Sequence, residues 1–235
     1  MCSGILRRIN RNKNKLLLKV NMHKQISLLL KLIFSLLVLG VVACGPKGES
    51  GKSGKSDPLS TASGGESGKS ERLSTVASGT ETQTGDIKTY TTSAYTIQYP
   101  LDWTLNLEGS KEVDFQLFSP LASSSDTFSE NVNLLVQDLR GQPVKTLDQY
   151  VEISESQIVA MLTDSEVLAS ERLRRNGREF HRVEFTARQG KFALKHVQYY
   201  FLANTTVYAL TFTCLAGEFD EHKEVGIRIL DSFVL

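Results

Sequence analysis

Between residues 165 and 214, three tight turns punctuate one long alternation of apolar and polar side chains, which points to an antiparallel meander of four strands. Asn176-Gly177 is the strongest of the three signals, because a two-residue type I′ turn needs two residues that tolerate positive φ. A turn there sets Arg174 opposite Glu179 and Glu171 opposite Arg182, both favourable cross-strand pairs. A second turn at Gln189-Gly190 is expected to set Glu184 opposite Lys195. A third at Asn204-Thr205 sets Val197 opposite Phe212 and Tyr199 opposite Leu210. Hairpins that agree on register reinforce one another.

Carried through, the alternation places Val197, Tyr199, Phe201, Tyr208, Leu210, Phe212 and Cys214 on one face. Such a face must be covered. Two helices are available. Thr146 and Gln149 fit a capping box, after which Leu147, Tyr150, Val151, Ser154, Ile158, Met161 and Leu162 share one side of a helix. A second helix is expected over about 218–231, with Phe219, Ile229 and Leu230 apolar. The opposite sheet face mixes Leu168, Val183, Phe185, Leu194, Tyr200 and Leu202 with His196, Gln198 and Thr211, and is expected to be only partly covered. Earlier β segments lie at Ala94–Trp103, Val113–Phe118 and Val132–Leu139. The expectation is an α+β domain, an antiparallel β-sheet sandwiched by helices.

Charge divides the 235 residues unevenly. Residues 1–43 hold eight Lys or Arg and no Asp or Glu, whereas residues 88–235 hold fourteen basic and twenty acidic side chains, a net charge of −6. That excludes a uniformly basic nucleic-acid binder. The basic stretch Arg7 to Lys24 precedes an apolar run from Ile26 to Ala43, the layout of a secretory signal. Its charge-free part, Leu32 to Ala43, would span only about 18 Å as a helix, short of a roughly 30 Å hydrocarbon core. Met22 would start a signal of more usual length, so translation is expected to begin there. From Gly45 to about Asp86 the chain is Gly-, Ser- and Thr-rich without an aromatic residue, and contains a local duplication, Gly54-Lys-Ser to Thr61-Ala and Gly68-Lys-Ser to Thr75-Val. This composition reads as a flexible tether reaching about 35 Å. Its three Gly-Lys-Ser triplets lack the upstream glycine of a phosphate-binding loop.

Val41-Val42-Ala43-Cys44 resembles a bacterial lipobox. That resemblance implies cleavage before Cys44 and diacylglycerol on its sulfur, and Gly45 in the next position implies outer-membrane sorting in a Gram-negative host. The expected organisation is a signal peptide over 1–43, the lipidated cysteine and linker over 44–87, and a globular domain over 88–235.

Tyr95-Thr-Ile-Gln-Tyr-Pro-Leu-Asp-Trp103, Phe115 to Pro120, Thr146-Leu-Asp-Gln-Tyr150, Tyr208-Ala-Leu-Thr-Phe212 and Leu230-Asp-Ser-Phe233 resemble the PsbP/DcrB group of domains across nearly all of residues 90–235. The resemblance implies a central antiparallel sheet flanked by helices and brings no catalytic motif with it.

With Cys2 in the signal and Cys44 lipidated, Cys214 is the only thiol left, so no intramolecular disulfide is expected. His196 is expected beside its strand on the other sheet face, leaving no Cys–His nucleophile. His181 and His196 share a face, but no third ligand stands at a metal-binding spacing, and no metal or cofactor is expected. Arg172, Arg174, Arg175 and Arg178 gather at the first hairpin tip and are candidates for contact with an anionic headgroup or an acidic partner. The reading is a non-enzymatic envelope lipoprotein, held in the membrane by its N-terminal lipid, whose tethered domain serves as a protein-interaction or envelope-support module with an envelope protein as expected partner and no nucleic-acid partner. The alternatives are a small-ligand-binding lipoprotein and, less favoured, a photosystem-associated extrinsic protein.

Overall fold

A computed structural model describes residues 79–108 and 113–235. The signal, Met22, Cys44 and most of the expected tether lie outside the described residues. Among those described, the strands are β1 (Thr80–Thr84), β2 (Ile87–Thr91), β3 (Thr96–Pro100), β4 (Thr104–Asn106), β5 (Val113–Phe118), β6 (Asn131–Asp138), β7 (Thr163–Arg175), β8 (Arg178–Gln189), β9 (Phe192–Ala203) and β10 (Thr206–Leu215). The helices are α1 (Leu147–Met161) and α2 (Phe219–Asp231). Strands β1 to β3 form a small sheet, and the others a larger one in the order β4-β5-β6-β10-β9-β8-β7. All pairings are antiparallel. Among the described residues, a strand is already present from Thr80, inside the stretch assigned to the tether. Glu81 explains why: its Oε2 accepts a 2.6 Å hydrogen bond from the Tyr99 hydroxyl, which ties β1 to β3.

The meander is present with two of its three registers as expected. Asn176 and Gly177 take φ values of 51° and 77°, and Arg174 faces Glu179 while Glu171 faces Arg182. Val197 faces Phe212 and Tyr199 faces Leu210. The middle hairpin differs. Gln189 pairs with Phe192, so the turn is Gly190-Lys191, and Glu184 faces Val197 rather than Lys195. Gly190, at φ 56°, occupies the first turn position instead of the second, which shifts the register by two residues. A shift of two preserves every side chain's face. Glu184 and Lys195 become diagonal neighbours and still form an ion pair at 2.6 Å.

The helices lie on opposite faces of the large sheet, which they sandwich as expected, so that only one of the two covers the Val197 face. Helix α1, with the expected capping box, packs Tyr150, Val151 and Ile158 against Val183, Phe185 and Tyr200. The face expected to be partly open is therefore covered there, and its polar members bond to one another. His196 Nδ1 lies 3.0 Å from Thr213 Oγ1, and Gln198 Nε2 donates to Thr211 Oγ1 at 2.8 Å. Helix α2 covers the other face, packing Ile229 and Leu230 near Val197, Leu210 and Phe212. The small sheet completes that layer with Tyr90, Ile97 and Tyr99. Burying one such large apolar side chain contributes about 1.5–3 kcal/mol. Helix α2 approaches the sheet through Gly226, against the ring of Phe212.

At one side the large sheet ends on β7, thirteen residues whose pairing with β8 is interrupted by irregularities between Thr163 and Glu166 and between Val167 and Ala169. No helix among the described residues is long and apolar enough to cross a membrane.

Candidate functional site

The sharp Asn176-Gly177 turn and the strict alternation of β7 and β8 split the four arginines between two faces. Arg175 and Arg178 are cross-strand partners on the α2 side, which they share with Leu173 and Phe180. Arg172 and Arg174 point to the α1 side, where Arg172 pairs with Asp148 of α1. The hairpin tip therefore carries two separate basic pairs, and the pair Arg175 and Arg178 borders a concavity.

That concavity is a cleft of about 130 Å³ between the hairpin tip and the end of α2. Aromatic side chains make its floor. Phe180 packs on Tyr199 and Phe201 with ring centroids 4.7 and 5.3 Å apart, and Phe201 meets Phe233 at 5.3 Å. Leu230 and Val234 form the wall, and Arg175 and Arg178 stand at the mouth. Val234 is an apolar side chain left 51% exposed at the edge.

Asp231 organises the charge. It pairs with Arg175 and accepts a 3.0 Å hydrogen bond from the Tyr199 hydroxyl. The Asp231 carboxylate favours the protonated Arg175 still further, and burial together with Asp231 holds the Tyr199 phenol well above its ordinary range. Arg175 also lies 5.9 Å from the Phe180 ring centroid, a cation–π distance. Arg178 donates to the main-chain oxygen of Leu235 at 3.2 Å. Arg175 is thus fixed by a carboxylate and a ring, and Arg178 by the Leu235 oxygen. The cleft suits an apolar group flanked by an anion. A volume of 130 Å³ admits roughly one ring-sized group and falls below the roughly 300–1,000 Å³ of small-molecule sites.

Asp231 and Phe233 were legible in the sequence only as the end of a helix and a closing motif. Nothing in their spacing shows that they meet the hairpin tip some fifty residues earlier.

The remaining candidates are placed as follows. Cys214 is buried, and burial followed by the nearby Glu130 carboxyl pushes its thiol up to about 12. His196 lies on the opposite face, stacked on Phe185 with centroids 4.6 Å apart. His181 meets Ser170 Oγ at 2.7 Å, and no carboxylate among the described residues lies within 4 Å of its ring. The two histidines thus have separate partners.

Among solved structures, the chain is similar to cyanobacterial PsbP (CyanoP) from Synechocystis sp. PCC 6803, with a TM-score of 0.51 at 14% identity over 65% of this chain and 94% of that one. The domain has a PsbP-like fold. The likeness at this identity is one of architecture alone. Fainter likenesses to this PsbP-like domain are seen in LpqN of Mycobacterium tuberculosis, described as involved in cell envelope biogenesis (TM-score 0.46, 11% identity, 67% of this chain and 90% of that), and in PA94, a protein of unknown function from Pseudomonas aeruginosa (TM-score 0.45, 12% identity, 64% and 98%). No protein-family model matches the sequence, and no curated protein matches it.

Proposed function

We propose that this protein is a non-enzymatic lipoprotein of the bacterial cell envelope, anchored through Cys44, whose PsbP-like domain docks a segment of another envelope protein in the cleft beside Arg178. The observation that carries the docking reading is a basic, aromatic-floored cleft on a domain whose net charge is −6. Its mouth runs against the sign of the rest of the domain, so an acidic segment is steered there and repelled elsewhere. Its size fits one anchoring side chain, and Arg178 at its edge fits an adjacent carboxylate. The anchor reading rests on the signal-like N-terminus and the lipobox-like Val41 to Cys44. Several acyl chains, at about 0.8 kcal/mol per buried methylene, hold a protein firmly on a bilayer without help from basic residues.

The test is photo-crosslinking in living cells with a crosslinking amino acid at Val234, followed by mass spectrometry of the captured species. A discrete envelope-protein adduct is expected, and recovery of no protein adduct would count against the docking reading. Fractionation tests the anchor separately: a C44A chain should lose its lipid and accumulate uncleaved.

A further inference from the structure

Three metal-ligating side chains, Glu130, Glu218 and His222, meet on the α2 face of the large sheet, at the opposite end of α2 from Asp231 and the cleft, with the Cys214 thiol beside Glu130. Glu130 directly precedes β6 and is 3% exposed. Glu218 and His222 stand four residues apart at the start of α2, so they share a helix face. Ligand atoms of Glu130, Glu218 and His222 all lie within 4.8 Å of one another. His222 Nδ1 is 3.9 Å from Glu130 Oε2, and its Nε2 is 4.0 Å from Glu218 Oε2. Cys214, on β10, contributes its Sγ 3.9 Å from Glu130 Oε1.

A second observation concerns Glu130 itself. This buried carboxyl has no Lys or Arg within ion-pair distance among the described residues. Ser119 Oγ donates to its Oε2 at 2.9 Å, and its Oε1 has only the long thiol contact. Lys195, directly across the ladder from Cys214, is committed elsewhere: its Nζ lies 2.6 Å from Glu184 and 4.0 Å from the centre of the Phe219 ring. Buried carboxylates are normally paired with a cation or bound to a metal.

We propose that Glu130, Cys214, Glu218 and His222 form a four-ligand site for a divalent transition-metal ion of the zinc class. An imidazole and a thiolate among the donors favour zinc, cobalt or nickel over magnesium and calcium. Metal–ligand bonds of about 2.0–2.3 Å place tetrahedral donors roughly 3.3–3.7 Å apart. Closing it around Glu130, Glu218 and His222 needs a contraction of about an ångström, which the side chains of Glu218 and His222, 50% and 34% exposed, have room to make. On binding, the Cys214 thiol releases its proton to solvent and the sulfur becomes a thiolate ligand. The ion would pin the segment leading into β6 to the first turn of α2.

The experiment uses the full chain in detergent, stripped with a chelator, titrated with Zn²⁺ by calorimetry and with Co²⁺ by absorbance. One equivalent of tight binding is expected, with a thiolate-to-cobalt charge-transfer band, and the affinity should fall at least tenfold in E218Q and in H222A. All variants keep the same N-terminal Cys and His residues, so the comparison isolates this site. C214S should abolish the charge-transfer band. Should C214S fail to fold, the E218Q/H222A double variant decides, since both positions are partly exposed. Unchanged Zn²⁺ affinity in that double variant, or a wild-type Co²⁺ spectrum without the thiolate band, overturns the assignment.

Discussion

The α-carbon of Gly226 rests against the ring of Phe212, where a β-carbon would stand 2.5 Å from three ring atoms. Phe212 is fully buried, so the ring has no free space to yield. Gly226→Ala should destabilise the domain by about 1–3 kcal/mol through overpacking, even though alanine is intrinsically the better helix former by roughly 1 kcal/mol. Urea unfolding checks this, with Gly217→Ala as control: its added β-carbon meets nothing within 4 Å. Equal stability of the two variants would refute the close contact.

Arg174 and Arg178 lie at the same hairpin tip but on opposite sheet faces. Charge reversal at each changes the net charge identically. Arg178→Glu should cut crosslinking from Val234 several-fold, while Arg174→Glu leaves the adduct largely intact. Equal losses from both variants would mean that the general field, rather than the cleft, attracts the partner.

The thiol of Cys214 is both buried and held protonated, its pKa raised to about 12. Only a thiolate reacts readily with alkylating reagents. With Cys44 carrying lipid as proposed, labelling should be negligible in native buffer and stoichiometric in denaturant. Rapid native modification, followed by mass spectrometry, would show that the end of β10 opens.

His196 is buried between Phe185 and Thr213, and burial lowers its pKa to about 3. Unfolded, it titrates near 6.5. Between these values the unfolded chain binds a proton that the folded chain does not, so stability rises with pH across the window. As pH falls from about 6.5 toward 3, this residue removes stability progressively. The Tm of His196→Gln should fall less steeply over that range than wild type. Parallel Tm profiles would refute the role.

The hairpins were legible because turn chemistry and cross-strand charge are local: Asn176-Gly177 alone sets two pairs correctly, Arg174 with Glu179 and Glu171 with Arg182. The middle turn was not, since Gln189-Gly190 and Gly190-Lys191 both place the flexible glycine inside a two-residue turn, and both leave every side chain on its proper face. The covers were harder still. Periodicity marks the apolar side of α1 and α2 but does not say which sheet face each one meets, and the short strands around Tyr90 and Ile97 gave little sign of forming a third layer. The candidate cleft was half visible. Arg175 and Arg178 stood out as charges, whereas Asp231, Tyr199 and Phe233 join them only through tertiary packing.

The free margin of β7 bears on how this domain behaves in a crowded compartment. An edge strand thirteen residues long, with no neighbour on its outer side among the described residues, invites another chain to extend the sheet. Here two breaks in the ladder bend the margin, and Asp164, Glu166, Glu171, Arg172 and Arg174 line it with charge of both signs. A second copy arriving at that margin would have to flatten a kinked backbone and desolvate those groups. Copies held side by side, as the proposed lipid anchor would hold them, would therefore remain separate molecules, and runaway sheet-to-sheet polymerisation is discouraged where local concentration would otherwise favour it.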